Sequence, residues 1–285
     1  MPEQKSQELD LTPYMEKLSF DKDLISTCNA IHDRIDKNWD IVIALDGEEG
    51  SGKSTLGIEL GWLLDKNFFL DNNIAYLPTP KEIEQKFKSL KAKQLFMVDE
   101  AVKALYKLQF MNKFQTRINE MYATERWQNK ITLLLIPRFT DLNEFFRNHR
   151  VKFWIHIIDR GLAVVFAKDE VNIFGQDKWH IAEEYARVKR YIKNRKFASF
   201  SAEEKLKIYE KSQHFMFSFR YPILPEEVEN RYKELKEFYR HIPNDTEKSL
   251  KEIYAKRLAD EGMTNVKISE ILGVSQQWIG KLVSK

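Results

Sequence analysis

The run Gly47-Glu48-Glu49-Gly50-Ser51-Gly52-Lys53-Ser54 constrains this chain more than any other feature. It has the spacing G-x-x-x-x-G-K-[ST], and it sits between an apolar stretch at 41–45 and a helical pattern from 53 to about 66. The spacing has a physical logic. Glycines let backbone N–H groups converge on phosphate oxygens with no Cβ in the way, and a helix amino terminus adds partial positive charge. Such a strand–loop–helix unit calls for neighbours of the same kind, with the ligand at the strand carboxyl ends.

Those neighbours are legible. Short apolar runs at 74–77, 95–98 and 131–136 read as strands, and 80–89 and 112–129 as helices. Residues 151–158 and 162–167, joined by Asp159-Arg160-Gly161, read as a hairpin. The expectation is an α/β domain over 40–178 with a mainly parallel sheet. Ahead of it, a leader over 1–39 contains a helix at 24–36, marked by Leu24, Ile25, Cys28, Ile31 and Ile35 at helical spacing. Behind it, 179–196, 201–212 and 225–240 read as charged helices of an extension reaching 245. Pro243-Asn244-Asp245 marks a boundary before a small all-α unit at 246–285.

Composition removes several function classes. The single cysteine, Cys28, excludes an internal disulfide framework and a cysteine-based zinc site, and fits a reducing compartment. No stretch approaches the roughly 18 uncharged residues of a membrane span, and residues 1–10 carry no secretory pattern. A cytoplasmic protein is expected, in the host cell cytoplasm if the source is viral. Lys+Arg 46 against Asp+Glu 43 gives +3. That balance is too mild to signal nucleic acid, so local patches must carry any such reading.

The loop assigns roles to its own residues. Lys53 is expected to reach the β- and γ-phosphates of ATP, and Ser54 to ligate Mg²⁺ through its hydroxyl. Apolar residues 95–98 run into Asp99-Glu100. Here Asp99 would hold Mg²⁺ through water and Glu100 would act as general base on the attacking water. The alternative is that the two carboxylates cap the next helix.

This pattern resembles P-loop NTPases, and the resemblance implies a further contact from Thr55 to the α-phosphate. The loop is also similar to that of thymidylate kinases, which pair it with an Asp-Arg element and an arginine-rich lid; neither is clear here. Asp99-Glu100, with a further strand at 131–136, resembles instead the additional-strand ATPases that use a catalytic glutamate. The strand at 131–136 should then lie beside the phosphate-loop strand, which makes Arg138 a sensor candidate. Arg147 and Arg150, ahead of the hairpin, are arginine-finger candidates, within one chain or across a subunit interface. Pairing with surface carboxylates is the competing reading for each of the three. Residues 40–170 taken together resemble the FtsK–HerA and Zot-like kind found in viruses and mobile elements. That resemblance implies a homo-oligomer, with rings among its forms, and duplex DNA as partner.

Two segments are candidates for DNA contact. Arg187, Lys189, Arg190, Lys193, Arg195 and Lys196 fall within ten residues without an acid, with Tyr191 and Phe197 among and beside them. They form either a phosphate-tracking ridge or a solvated helix face. The sequence from 266 to 279 resembles a helix-turn-helix. Ile268, Ile271 and Leu272 mark an apolar face, Gly273 permits a left-handed turn, and Ser275 is an N-cap. Gln276 and Gln277 would then reach base edges and Lys281 a phosphate. A helical bundle for protein contacts is the other reading.

The reading as a whole is an ATP-hydrolysing, DNA-directed motor or switch. A nucleoside-monophosphate-kinase-like enzyme and an ATP-switched DNA-binding regulator with slow hydrolysis stand beside it.

Overall fold

A computed structural model describes residues 9–76, 80–101, 113–169, 177–192, 196–240, 255–256, 259, 263–272 and 274–283. Seven strands form one sheet: β1 Ile41–Asp46, β2 Ile74–Ala75, β3 Leu95–Val98, β4 Ile131–Ile136, β5 Val151–Asp159, β6 Leu162–Ala167 and β7 Phe215–Arg220. Their order is β2-β3-β4-β1-β5-β6-β7, parallel from β2 to β5 and antiparallel at β6 and β7.

Every residue of β1, β3 and β4 is buried. That follows from helices on both faces, which is why these strands read as continuous apolar runs rather than alternations. Successive residues nevertheless serve different layers. Ile41, Ile43 and Leu45 face one core with Met97, Leu133 and Leu135, while Val42 and Ala44 face the other with Phe96, Leu134 and Ile136.

On the first face lie helices α1 (Lys22–Asp36) and α2 (Lys53–Leu64), and later α7 (Glu226–Arg240). Asp21 caps α1, accepting from Asp23 N, and Leu24, Cys28, Ile31 and Ile35 form its buried stripe. Burial pushes the Cys28 thiol up to about 12, so it behaves as a small hydrophobe. On the second face lie α3 (Pro80–Ser89) and α4 (Lys113–Thr124), through Ile83, Phe87, Ile118, Met121 and Tyr122. The helix expected over 112–129 ends sooner, giving way to a 3₁₀ turn, Glu125–Gln128, and a left-handed Asn129 at φ 51°.

The charged segment read as wholly helical contains α5 (Ile181–Ile192) and α6 (Ala202–Tyr209), the latter opened by a capping box between Ser201 and Glu204. It also contains β7, which the sequence reading does not foresee. Phe215, Phe217 and Phe219 alternate there, but a bulge interrupts the ladder: Val165 pairs with Phe217 and Phe166 with Phe215. Phe215 therefore packs on one core and Phe217 and Phe219 on the other. Residues 215–220 thus extend the phosphate-loop sheet, and the chain leaves them directly for α7.

At the carboxyl end, α8 (Asn265–Leu272) and α9 (Gln276–Val283) pack around buried Ala255, Ile268 and Ile279. Gly273 and most of residues 246–262 lie outside the described residues.

Candidate active site

The loop between β1 and α2 is built as its spacing demands. Gly50 and Gly52 hold φ 75° and 100°, left-handed values that a side chain would strain, and Gly52 opens α2. Glu48, Glu49 and Gly50 face solvent. Lys53 folds back over the loop, its Nζ donating to Gly47 O at 2.7 Å and Glu48 O at 2.8 Å. Partial burial lowers the Lys53 pKa, opposed by the charges of Asp46, Glu49 and Asp99.

Beneath the loop, Asp46 is a buried anchor. Its Oδ1 accepts from Trp154 Nε1 at 2.7 Å and lies 2.7 Å from His156 Nδ1, and its Oδ2 accepts from Phe139 N at 2.8 Å. Tyr209 Oη lies 3.0 Å from the other nitrogen of His156. The last residue of β1 is thereby tied to the segment after β4, to β5 and to α6.

Asp99 closes β3 and is buried, and Glu100 beside it adopts φ 52°. The expected neighbour relation holds: β4 pairs with β1 on one side and with β3 on the other. An additional strand therefore separates the phosphate-loop strand from the strand that ends in the carboxylates. This sheet order, with the loop and helix at the end of β1, is the fold of a P-loop NTPase. One helix, α7, ties the two strand ends together. Tyr232 Oη lies 2.9 Å from Ser54 Oγ and donates to Asp99 Oδ2 at 2.6 Å, while Lys236 Nζ donates to Asp99 Oδ2 at 2.7 Å. Lys236 Nζ also lies 3.5 Å from Glu100 Oε1.

The donors gathered here are a hydroxyl and carboxylates, oxygen ligands that suit Mg²⁺. Among the described residues no cluster of three or more His, Cys, Asp or Glu could hold a metal by itself.

The arginines separate. Arg138 follows β4 at the loop end of the sheet, exposed and paired with Asp141 at 3.0 Å. Arg150 is elsewhere. Val151 pairs with Val42 and His156 with Asp46 in parallel, so the start of β5 lies at the start of β1. That is the far end of the sheet, about 15 Å from the loop by strand rise. The expectation of a finger within one chain is corrected for Arg150. Arg150 is committed to a largely buried ion pair with Asp40, just ahead of β1, and does not serve the loop of its own chain. Arg147, three residues earlier, donates from Nη1 to Leu142 O at 3.3 Å, and its carbonyl accepts from Trp179 Nε1 at 2.7 Å.

Four residues at the loop escaped the sequence reading. Arg160, in the hairpin turn, donates from Nε to Gly50 O at 3.0 Å, and Tyr221, just after β7, donates to Ser51 O at 3.2 Å. Tyr232 and Lys236 complete the set. The Asp-Arg-Gly turn was a signal for Arg160; nothing local marked the other three.

Of the candidate DNA residues, Lys189 and Arg190 are exposed on α5, with Lys189 Nζ 5.9 Å from the Tyr185 ring centre. Arg187 is partly shielded and paired with Glu184 at 3.2 Å. Lys193 lies outside the described residues. In α9, Ser275 Oγ accepts from Trp278 N at 3.3 Å, Ile279 is buried, and Gln276, Gln277 and Lys281 are exposed. Among the described residues no helix is long and apolar enough to cross a membrane.

No family model matches the sequence. No curated protein matches it. Among solved structures the chain is similar to the genome packaging NTPase B204 of Sulfolobus turreted icosahedral virus 2, in complex with AMPPCP. Identity is 14%, coverage 46% of this chain and 93% of that one, and the TM-score 0.32. The N-terminal domain of zonular occludens toxin from Neisseria meningitidis matches at 12% identity, over 67% of this chain and 98% of that one, with a TM-score of 0.34. The AAA domain of FIGL-1 matches at 12% identity, over 79% and 89%, with a TM-score of 0.38.

Proposed function

We propose that this protein binds and hydrolyses ATP and uses it to act on duplex DNA as a motor or switch. The process would be a viral or mobile-element one such as packaging, transfer or segregation, with the chain working as a homo-oligomer. The observation that carries the reading is the meeting of Lys53 and Ser54 with Asp99 and Glu100 at one end of the sheet, across an intervening β4.

In this reading the backbone N–H groups of residues 47–55 bind the phosphates, with Thr55 at the α-phosphate. Lys53 exchanges the Gly47 and Glu48 carbonyls for β- and γ-phosphate oxygens. Ser54 and Asp99 hold Mg²⁺, which when bound supplies charge neutralisation between the phosphates. Glu100 takes the proton of the attacking water, and Arg138 senses the γ-phosphate. Gln276, Gln277 and Lys281 meet DNA from the carboxyl-terminal unit, as one part of a division into leader, ATPase domain, extension and helix-turn-helix. Arg187, Lys189, Arg190 and Lys193 are the second DNA surface.

The cover that α7 places over Ser54 and Asp99 favours a second reading within the same class, an ATP-switched DNA-binding regulator with slow hydrolysis. Phosphate release with and without duplex DNA, on protein of measured oligomeric state, tests both. DNA-stimulated release supports the motor. Slow, DNA-independent release with ATP-dependent DNA binding supports the switch. Phosphoryl transfer to a nucleoside monophosphate overturns both.

A further inference from the structure

Tyr232 and Lys236 stand one helical turn apart on α7, so both point from the same face. That face is turned into the site. Asp99 Oδ2 accepts from both the Tyr232 hydroxyl and the Lys236 ammonium, at 2.6 and 2.7 Å. A phenol has one proton, and here it goes to the carboxylate, so the Ser54 hydroxyl at 2.9 Å is the donor in the other contact.

We propose that Tyr232 and Lys236 are a cation-mimicking plug, making the contacts to Ser54, Asp99 and Glu100 that Mg²⁺ must take over when nucleotide binds. This rests on the nucleotide reading above and adds regulation to that same site. Lys236 supplies positive charge to a buried carboxylate, and an ammonium and a divalent cation at one carboxylate repel. Both therefore cannot be held there at full strength. The plug is set in register from outside the site. Arg231 makes a two-pronged contact with Asp71 at 3.0 and 3.2 Å, and Tyr239 stacks on Tyr76 with ring centres 5.1 Å apart.

The test is a magnesium titration of fluorescent ADP binding to the full chain, its Lys236→Met variant and its Tyr232→Phe variant. Lys236→Met should reach half-saturation at about tenfold lower magnesium, since a plugged fraction no longer has to open. Tyr232→Phe should shift the same way by a smaller factor, and without magnesium neither variant should bind nucleotide more tightly than the parent. Tyr232→Phe keeps its ring against Tyr76, so it reads the plug even if Lys236→Met folds poorly. Parental magnesium dependence in both variants overturns the plug, as does a higher requirement in Lys236→Met, which would make Lys236 a ligand of the bound nucleotide. If the parent itself binds no nucleotide, the functional reading fails and the plug fails with it.

Discussion

Trp154 donates its indole N–H to Asp46 at 2.7 Å, tying β5 to the last residue before the phosphate loop. Asp46 also accepts the Phe139 amide and lies against His156, so one buried carboxylate serves three donors. Asp46→Ala leaves them unsatisfied. A loss of about 1–3 kcal/mol is expected for each buried donor that finds no water. Denaturant unfolding measures it, and an unchanged midpoint would show that water replaces the carboxylate.

Lys53 and Glu100 should separate binding from chemistry. Lys53→Ala removes the ammonium that now bonds the Gly47 and Glu48 carbonyls and is expected to abolish tight ATP binding. Glu100→Gln keeps the shape but cannot take a proton, so binding should persist while turnover falls roughly 10²–10⁴-fold. Calorimetric binding beside steady-state phosphate release checks both. Equal turnover in Glu100→Gln and the parent would leave Glu100 as a cap.

Arg150 is expected to act on stability rather than on turnover. Its partner Asp40 is 15% exposed, and the arginine itself 9%. Arg150→Ala should therefore cost up to about 3 kcal/mol, because the shielded Asp40 keeps only its longer contact to Arg126 at 3.6 Å. The folded fraction should keep parental kcat, and mixing with Glu100→Gln should restore nothing. Rescue in the mixed oligomer would reinstate Arg150 as a finger in trans.

Glu59 predicts a pH dependence. It is fully buried in α2, neither carboxyl oxygen has a hydrogen-bond partner among the described residues, and burial raises its pKa from 4.5 to about 9. Between those values the unfolded chain has released the proton and the folded chain keeps it. Stability from this group is then intact below about pH 4.5 and declines toward pH 9, at up to roughly 1.4 kcal/mol per unit. Glu59→Met should melt higher than the parent at pH 8, with the gap closing at pH 5. A gap that does not change with pH would mean the carboxyl is solvated.

The carboxyl-terminal unit predicts a salt signature. Replacing Gln276 and Gln277 with Ala should weaken specific duplex binding by about 1–3 kcal/mol per good bidentate contact. Lys281→Ala should weaken all sequences alike and make the salt slope shallower by about one. Ile279, not these residues, is committed to the core, so folding should hold. If deletion of 246–285 leaves affinity and slope unchanged, the exposed Lys189 and Arg190 face of α5 becomes the DNA surface.

What the sequence determined by itself is what neighbouring residues enforce. The loop with Gly50 and Gly52 at positive φ, the buried runs of β1, β3 and β4, and α3 and α9 with their apolar faces all follow from local spacing. Even the place of β4 beside β1 was legible, through the resemblance carried by Asp99-Glu100. The parallel course of β5 was not, and with it went the end of the sheet at which Arg150 stands. Tyr232 shows the limit most plainly, meeting Ser54 across 178 residues of chain. Helical periodicity puts Tyr232 and Lys236 on one face, but it does not say what that face meets. That was decided by the β7 ladder, the Arg231–Asp71 pair and the Tyr239–Tyr76 stack, which dock α7 against the strand ends. Contacts so distant in sequence follow from the packing of whole elements, and no short window of residues encodes them.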